Sequence, residues 1–338
     1  MAGLQDMSAG FKKESTYGTA VTVDRWPEFT DDSDGFDTDG FERVQGKGMR
    51  VGSRVARSGR RVTTKRAAAG SFGYELFSKG QGALWEQVFG AGASTLVSGT
   101  TYQQVFTLAD TQPSATWQQG IVDSTGTVNP FTFPGVVVTK CEFSCDDSIA
   151  VAKVDLDARD ITTATAYAAP TMPTGGNLFT FASSVITLGG TVTAPTTTAL
   201  ASGGTAVTNV ESWSCEIDRA PNVGRFTHGN AGLKSKPLVT GGQGITGKLS
   251  LEYVDNVVRD AIINDTALPL TITMSGGALS AGNETWQLVL PEVKLDAKGM
   301  PKQGGGDLPK LDVTFTALDN LTATQPIWLV CRTADSAL

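Results

Sequence analysis

Apolar and polar residues alternate in short runs along most of this chain, the period of half-buried strands. Ala67 to Phe77 predicts a strand with Phe72, Tyr74 and Leu76 on one face. A short helix follows from Gly82 to Phe89, where Leu84, Trp85, Val88 and Phe89 form one apolar stripe, and Gly90 and Gly92 end it. Strands are predicted at about 101–108, 115–122, 131–145 and 150–158, separated by Asp, Gly, Pro and Ser turns. In the second half, Leu178 to Leu188 alternates, 189–206 is a loose Thr/Ala/Gly segment, and Val210 to Ile217 alternates again. A strand at 245–254, a helix at 255–264 and strands near 268–274, 284–290, 291–297 and 310–317 complete it. One more apolar run, Ile327 to Cys331, lies in the tail.

Part of this pattern occurs twice. Gly70-Ser71-Phe72-Gly73-Tyr74-Glu75-Leu76-Phe77 matches Gly247-Lys248-Leu249-Ser250-Leu251-Glu252-Tyr253-Val254 in shape. Each is followed by a short apolar and charged run, Ala83 to Phe89 and Val257 to Ile263. Then come a Trp (Trp117, Trp286), a Pro before a Val-rich strand (Pro134, Pro291) and an alternating strand ending in Ala (Lys153 to Ala158, Leu311 to Ala317). The period exceeds the roughly 20–50 residues of a solenoid repeat. It reads as two copies of one domain, and 338 residues are enough for two separate cores. With 40% hydrophobic and 18% charged residues, the composition is β-rich, or α+β with a minor helical share.

Charge changes the picture in one place. The net charge of −7, from 27 basic and 34 acidic residues, speaks against a general nucleic-acid binder. Yet 41–66 holds Arg43, Lys47, Arg50, Arg54, Arg57, Arg60, Arg61, Lys65 and Arg66, with no acid after Glu42 and few large apolar residues. It predicts a long exposed hairpin or loop that becomes ordered against something acidic. Nucleic acid is one partner it could take; the absence of interleaved aromatics favours a subunit contact with the acidic 31–42 loop of a neighbour. The corresponding connection of the second half, 219–244, is Gly-rich and more mildly basic.

Nothing marks catalysis. His228 is the one histidine, in a Gly/Asn/Thr-rich loop. Cys141, Cys145, Cys215 and Cys331 lack metal-site spacing and are read as reduced thiols of a cytoplasmically made protein. Thr240 to Gly244 lacks the Lys-Ser/Thr of a phosphate loop, and Gly304 to Asp307 reads as a hairpin tip. Asp155 and Asp157 share one side of a strand, expected to be the solvated one. No cofactor is expected, no secretory signal opens the chain, and no run is long enough to cross a membrane as a helix.

Gly10-Phe11-Lys12-Lys13-Glu14-Ser15-Thr16-Tyr17-Gly18-Thr19-Ala20 resembles the opening of tail tube (major tail) proteins of long, non-contractile-tailed phages. The element order agrees: polar arm, long loop, Gly-led strand, short helix, strands. The resemblance implies a mainly β protein with minor α, as two tandem tail-tube-like β-sandwich or barrel domains, each with one short flanking helix. It divides the chain into an N-terminal arm and acidic loop (1–40), a first domain (41–161), a linker (162–177), a second domain (178–325) and a C-terminal segment (326–338). It implies a structural virion protein, assembled in the host cytoplasm, that stacks as rings into a hollow conduit for DNA. Two domains per chain favour a ring of three chains with pseudo-sixfold symmetry over a hexamer. Further partners implied are a tape measure protein inside the tube, tail terminator and tail tip proteins, and DNA in passage. Subunit and ring contacts are expected at Glu14, Thr16, Tyr17, Asp31, Asp32, Asp34, Arg50, Arg54, Arg57, Arg60, Arg61, Arg225, Lys234 and Lys236. The N-terminal arm is expected to order only on assembly. The alternative is a β-sandwich adhesin or other virion binding module.

Overall fold

The computed structural model describes residues 7–37, 40–49, 51–52, 54–296 and 308–338. The first half contains β1 (Ser8–Lys13), β2 (Gly35–Asp37), β3 (Glu42–Gln45), β4 (Arg61–Lys65), β5 (Ala68–Glu75) and α1 (Gly82–Phe89). It continues with β6 (Gly90–Ser98), β7 (Thr101–Leu108), β8 (Ala115–Val122), β9 (Val128–Cys145) and β10 (Val151–Ala158). The second half begins with β11 (Ser184–Leu188) and three two-residue strands, β12 (Val192–Thr193), β13 (Ser202–Gly203) and β14 (Ala206–Val207). Then follow β15 (Val210–Asp218), β16 (Gly244–Glu252), α2 (Val257–Ile263), β17 (Leu268–Ala278), β18 (Asn283–Asp296), β19 (Lys310–Ala317) and β20 (Trp328–Thr333). The fold is mainly β, antiparallel, with two short helices.

Strand order repeats. In the first half the hydrogen-bonded sequence is β1-β8-β9-β10-β5-β2. In the second it is β11-β17-β18-β19-β16-β15. Register agrees with the sequence repeat: Gly70 faces Leu156, which faces Val138, and Gly247 faces Phe315, which faces Leu295. The glycine that leads each copy is required by close approach. A Cβ on Gly247 would lie 2.2 Å from both the Phe315 ring and the Ser214 carbonyl oxygen; on Gly70 it would lie 2.4 Å from the Gly35 carbonyl oxygen.

Both prolines lie inside the two longest strands: Pro134 within β9, as the predicted 131–145 strand had it, and Pro291 within β18, where a new strand was expected to begin. On one edge of β9 the partner changes from Thr162, opposite Thr132, to β10 from Val137; on the same edge of β18 it changes from β20, up to Val289, to β19 from Val293. Pro134 and Pro291 occupy those gaps, where a missing N–H costs no ladder bond. The two tryptophans are not equivalent: Trp117 lies on β8 and Trp286 on β18. β6 was not expected either. Gly90, at φ +93, ends α1, and the chain turns directly into a strand paired with β7.

The arm is built into the chain itself. β1 pairs with β8 along its length, and Phe11 is fully buried, stacked on Trp117 at 4.9 Å. Such a ring cannot wait in water for a partner without cost, which is why residues 8–13 are ordered within a single copy. One apolar core runs through both halves. Trp85 of α1 meets Phe143 at 5.3 Å, Phe143 meets Trp286 at 5.2 Å, and Trp286 stacks with Trp213 at 6.1 Å.

Candidate assembly surfaces

The halves meet edge to edge. β15 pairs with β16 on one edge and with the C-terminal part of β9 on the other, from Trp213 opposite Cys145 to Asp218 opposite Lys140. Lys140 and Glu216 form an ion pair across this seam at 2.7 Å. Just past β15, buried Arg219 donates from its backbone N–H to the Thr139 carbonyl at 2.9 Å and from its guanidinium to the carbonyls of Phe89, at 3.0 Å, and Ala109. It thereby satisfies the C-terminal end of α1, where a cation is favoured. Burial pulls the guanidinium pKa down to about 10, and Asp110 partly opposes that. A second tie is β20, which lies between β18 and β7.

The join is asymmetric: a β9 edge of one half receives the last strand, β15, of the other. The counterpart of β15 in the first half is β2, which ends the sheet path and, among the described residues, pairs with β5 alone.

The sheet that crosses the seam has one apolar and one polar face. Phe143, Trp213, Cys215, Leu249 and Phe315 are buried on one side. The other side carries Lys153 and Asp155 of β10, Lys140, Glu142 and Ser144 of β9, and Ser214, Glu216 and Asp218 of β15. It continues through Lys248, Ser250 and Glu252 of β16 to Asp312 and Thr314 of β19. Acids outnumber lysines on it, and these strands present no aromatic ring there.

Glu14 is a hub inside its own chain. Its carboxylate accepts from Ser114 Oγ (2.9 Å), Thr116 Oγ1 (2.8 Å) and the backbone N–H groups of Gly18 and Gly135 (both 2.8 Å), and the residue is 7% exposed. Four donors converge because β1 lies against β8 and the chain turns back at Gly18, whose φ is +72. Four intrachain donors occupy its oxygens. Thr16 is exposed, and Tyr17 is half-buried with the Arg159 guanidinium 5.5 Å from its ring centre. Burial raises the Tyr17 phenol well above its ordinary value.

The charged candidates divide sharply. Asp31, Asp32 and Asp34 are exposed; Asp32 accepts from Thr30 Oγ1, and Asp34 from Ser71 Oγ at 2.8 Å. β3 and β4 form the expected basic hairpin, exposed along both strands, with Lys65 paired to Glu42 at 2.7 Å. Arg54, Arg60 and Arg61 are exposed and Arg57 is half-buried; Arg50 lies outside the described residues. In the second half's connection, Arg225 is half-buried and donates to the Lys236 carbonyl, while Lys236 is exposed.

Lys234 is buried and ion-paired with Asp157 within the chain, and Asp157, expected on the solvated side of its strand, is buried. The 219–243 connection crosses the end of β10 and covers it. Burial raises the Asp157 carboxyl, with Lys234 pulling the other way. Composition could not show this, since the carboxylate that pairs with Lys234 lies 77 residues away in the sequence.

A groove of about 380 Å³ opens where the arm passes the end of β5. Pro27, Phe29, Phe77, Pro173 and Leu178 line it together with Glu28, Asp31, Glu75 and Lys79. No catalytic constellation accompanies it. His228 is exposed, and Cys141, Cys145 and Cys215 are buried, with burial pushing the Cys215 thiol up to about 12. Among the described residues no group of three His, Cys, Asp or Glu side chains could hold a metal ion, and no helix is long and apolar enough to cross a membrane.

These surfaces join strands and present charge; they do not gather reacting groups. No curated protein matches the sequence. The family model for phage tail tube protein matches residues 5–317. The chain belongs to the phage tail tube proteins, structural proteins of the bacteriophage virion that self-assemble into the tube of the tail.

Proposed function

We propose that this chain builds the tail tube of a long, non-contractile-tailed phage as stacked rings of three chains, each chain supplying two tandem tube domains. The domains are 41–161 and 178–325, with 162–177 as linker. The observation that carries this reading is the β9–β15 seam. A heterologous join of two like units, repeated, closes into a ring when its rotation divides the full turn. Within one chain it is made once. Made again between copies, it sets the β2 edge of one chain against the second half of the next, and six units close the ring. The β2 edge is then covered, which lowers the hazard of an exposed edge strand there.

The same closure puts the polar face inward. The helices and the remaining strands pack on the apolar side, and the bulkier layer takes the larger circumference. A wall of Ser, Thr and excess acid repels phosphate, and without aromatics it offers bases nothing to stack on. DNA passes without being held. A tape measure protein fills the bore before ejection, terminator and tip proteins close the ends, and assembly takes place in the host cytoplasm.

Negative-stain electron microscopy of the purified chain tests this. Rings and tubes are expected, with three chains per ring by native mass spectrometry. A protein that stays monomeric at high concentration overturns the tube reading, and six chains per ring overturns the pseudo-symmetry.

A further inference from the structure

Val289 of β18 and Trp328 and Val330 of β20 form an apolar cluster outside the main core. Leu288, Leu290 and Leu329 belong to that core, so by strand alternation these three residues lie on the opposite face of the sheet. They are buried there all the same, none more than 4% exposed. The cover is a flap in the connection from β11 to β15. The Gly204 N–H donates to the Thr191 carbonyl at 2.9 Å and closes its base, and β12 pairs with β13 above it. Val192, Leu200 and Ala201 lie on the cluster, beside Val105 of β7. The tip turns at Thr196, whose Oγ1 accepts from the Ala199 N–H at 3.0 Å.

One side chain from each of three adjacent strands fastens the flap. Gln287 of β18 accepts from the Ala201 N–H at 2.8 Å and donates to the Ala201 carbonyl at 3.1 Å. Arg332 of β20 donates to the Thr198 carbonyl at 3.0 Å. Gln103 of β7 donates to the carbonyls of Thr196, at 2.8 Å, and Ala199, at 3.0 Å, and accepts from Arg332 at 2.8 Å. Every group the flap offers to these side chains is main chain. Between Asp160 and Glu211 the sequence carries no charged residue, so the flap is held by its carbonyls and its apolar side chains. β7 belongs to the first half of the chain; β18, β20 and the flap belong to the second.

We propose that residues 191–204 are a clasp that holds the β6–β7 hairpin of the first half on the second half and fixes the angle between the two. β20 joins β18 to β7 edge to edge, in a single layer. Strands joined only by their edges can vary in twist. A second layer packed across all three opposes that, because any change of twist would pull Ala201 and Leu200 off the cluster. Burial of Trp328 and its neighbours supplies the attraction, and Gln103, Gln287 and Arg332 set the position. In the tube reading, on which this last step rests, the fixed angle is the share of the ring's turn that one chain contributes.

Gln287→Leu removes both bonds to Ala201 and touches nothing on β7. Hydrogen exchange is expected to quicken at least tenfold at Gln103 to Leu108, two strands away, and to keep the parent rate in β5 and β16. Quickening confined to β18 and the flap overturns the clasp. A second variant, with 192–203 replaced by two glycines, joins Thr191 to Gly204 and opens the face altogether. Its exchange in β7 and β20 is expected to exceed that of Gln287→Leu, and its tubes to lose the single diameter of the parent in electron microscopy. Loosened β7 with tubes of parental diameter overturns the link to ring angle and leaves the clasp standing. A parent chain that forms no tubes overturns the tube reading, and the exchange result alone then decides the clasp.

Discussion

Two long connections occupy equivalent places in the repeat, and they do opposite things. The one between β2 and β5 extends as an exposed basic hairpin. The one between β15 and β16 folds back, buries Lys234 on Asp157 and lets the Gly232 carbonyl accept from the Arg66 N–H at 2.9 Å. Both are basic, and both lead into a Gly-led strand. The difference lies in what covers the charge. Lys234 has a buried carboxylate within reach, so burying it is compensated; the hairpin cations have water and a few surface partners. Positive charge in this chain thus serves two ends, tying the halves together and reaching outward.

Breaking the inward connection carries the largest expected effect. Lys234→Met leaves Asp157 buried without its partner and should cost about 3–5 kcal/mol of unfolding free energy, read by chemical denaturation. Burial already raises the Asp157 carboxyl, and without Lys234 it rises further. A carboxyl that titrates higher in the folded than in the unfolded chain adds stability below the unfolded value of about 4 and loses it as pH climbs through the folded value. The deficit of the variant against the parent should therefore be smaller at about pH 5 than at about pH 8. A second change, Asp157→Asn, should recover part of the loss at the higher pH.

The first half has its own buried charge, and removing it sharpens the contrast. Glu14→Ala strands four donors and should cost about 3 kcal/mol; Glu14→Gln keeps one acceptor oxygen and should cost less. Thermal unfolding of the unassembled chain measures both. A loss as large in the monomer as in the tube supports an internal hub, and a loss confined to the tube would return Glu14 to the interface. Arg219→Met should cost about 2 kcal/mol by taking the guanidinium from the Ala109 and Phe89 carbonyls at the end of α1, of which Phe89 keeps the Ala109 N–H at 2.9 Å. Hydrogen exchange should quicken at the Ala109 and Thr139 side of the seam before it does at β17.

Much of the core was legible in the sequence because alternation survives wherever one face is buried. Phe72, Tyr74 and Leu76 announce β5, and Leu249 and Leu251 announce β16. Gly70 and Gly247 mark the repeat for a physical reason, the close approach of Gly35 and of Phe315. What failed to show has physical causes too. β6 is built mostly from Gly, Ala, Ser and Thr, with only Leu96 and Val97 larger and apolar, so its period is faint. Phe11 is one apolar residue ahead of two lysines, and only Trp117 across the sheet reveals it as core. The β9–β15 seam joins residues about 70 apart, and Cys215 and Ile217 alternate as they would beside any partner. The Lys-Glu-Ser-Thr-Tyr-Gly-Thr motif was visible, but the four donors around Glu14 exist only once β1 meets β8.

The smallest effect on stability should come from the outward connection. Arg54→Glu, Arg57→Glu and Arg60→Glu together change the charge of the hairpin by six units (three residues, two each) without touching the core, so unfolding of the monomer should move by less than about 0.5 kcal/mol per site. Tube growth should nevertheless stop if the hairpin's positive charge makes a contact between copies. Salt provides the matching control. Raising ionic strength from about 0.1 M to about 1 M shortens the screening length from about 10 Å to about 3 Å, which should slow growth of the parent tube while leaving the buried Lys234–Asp157 pair, and hence monomer unfolding, nearly unchanged. Were charge reversal to unfold the chain, or growth to ignore both reversal and salt, the hairpin would be a structural element like its counterpart and the contrast between the two connections would fail.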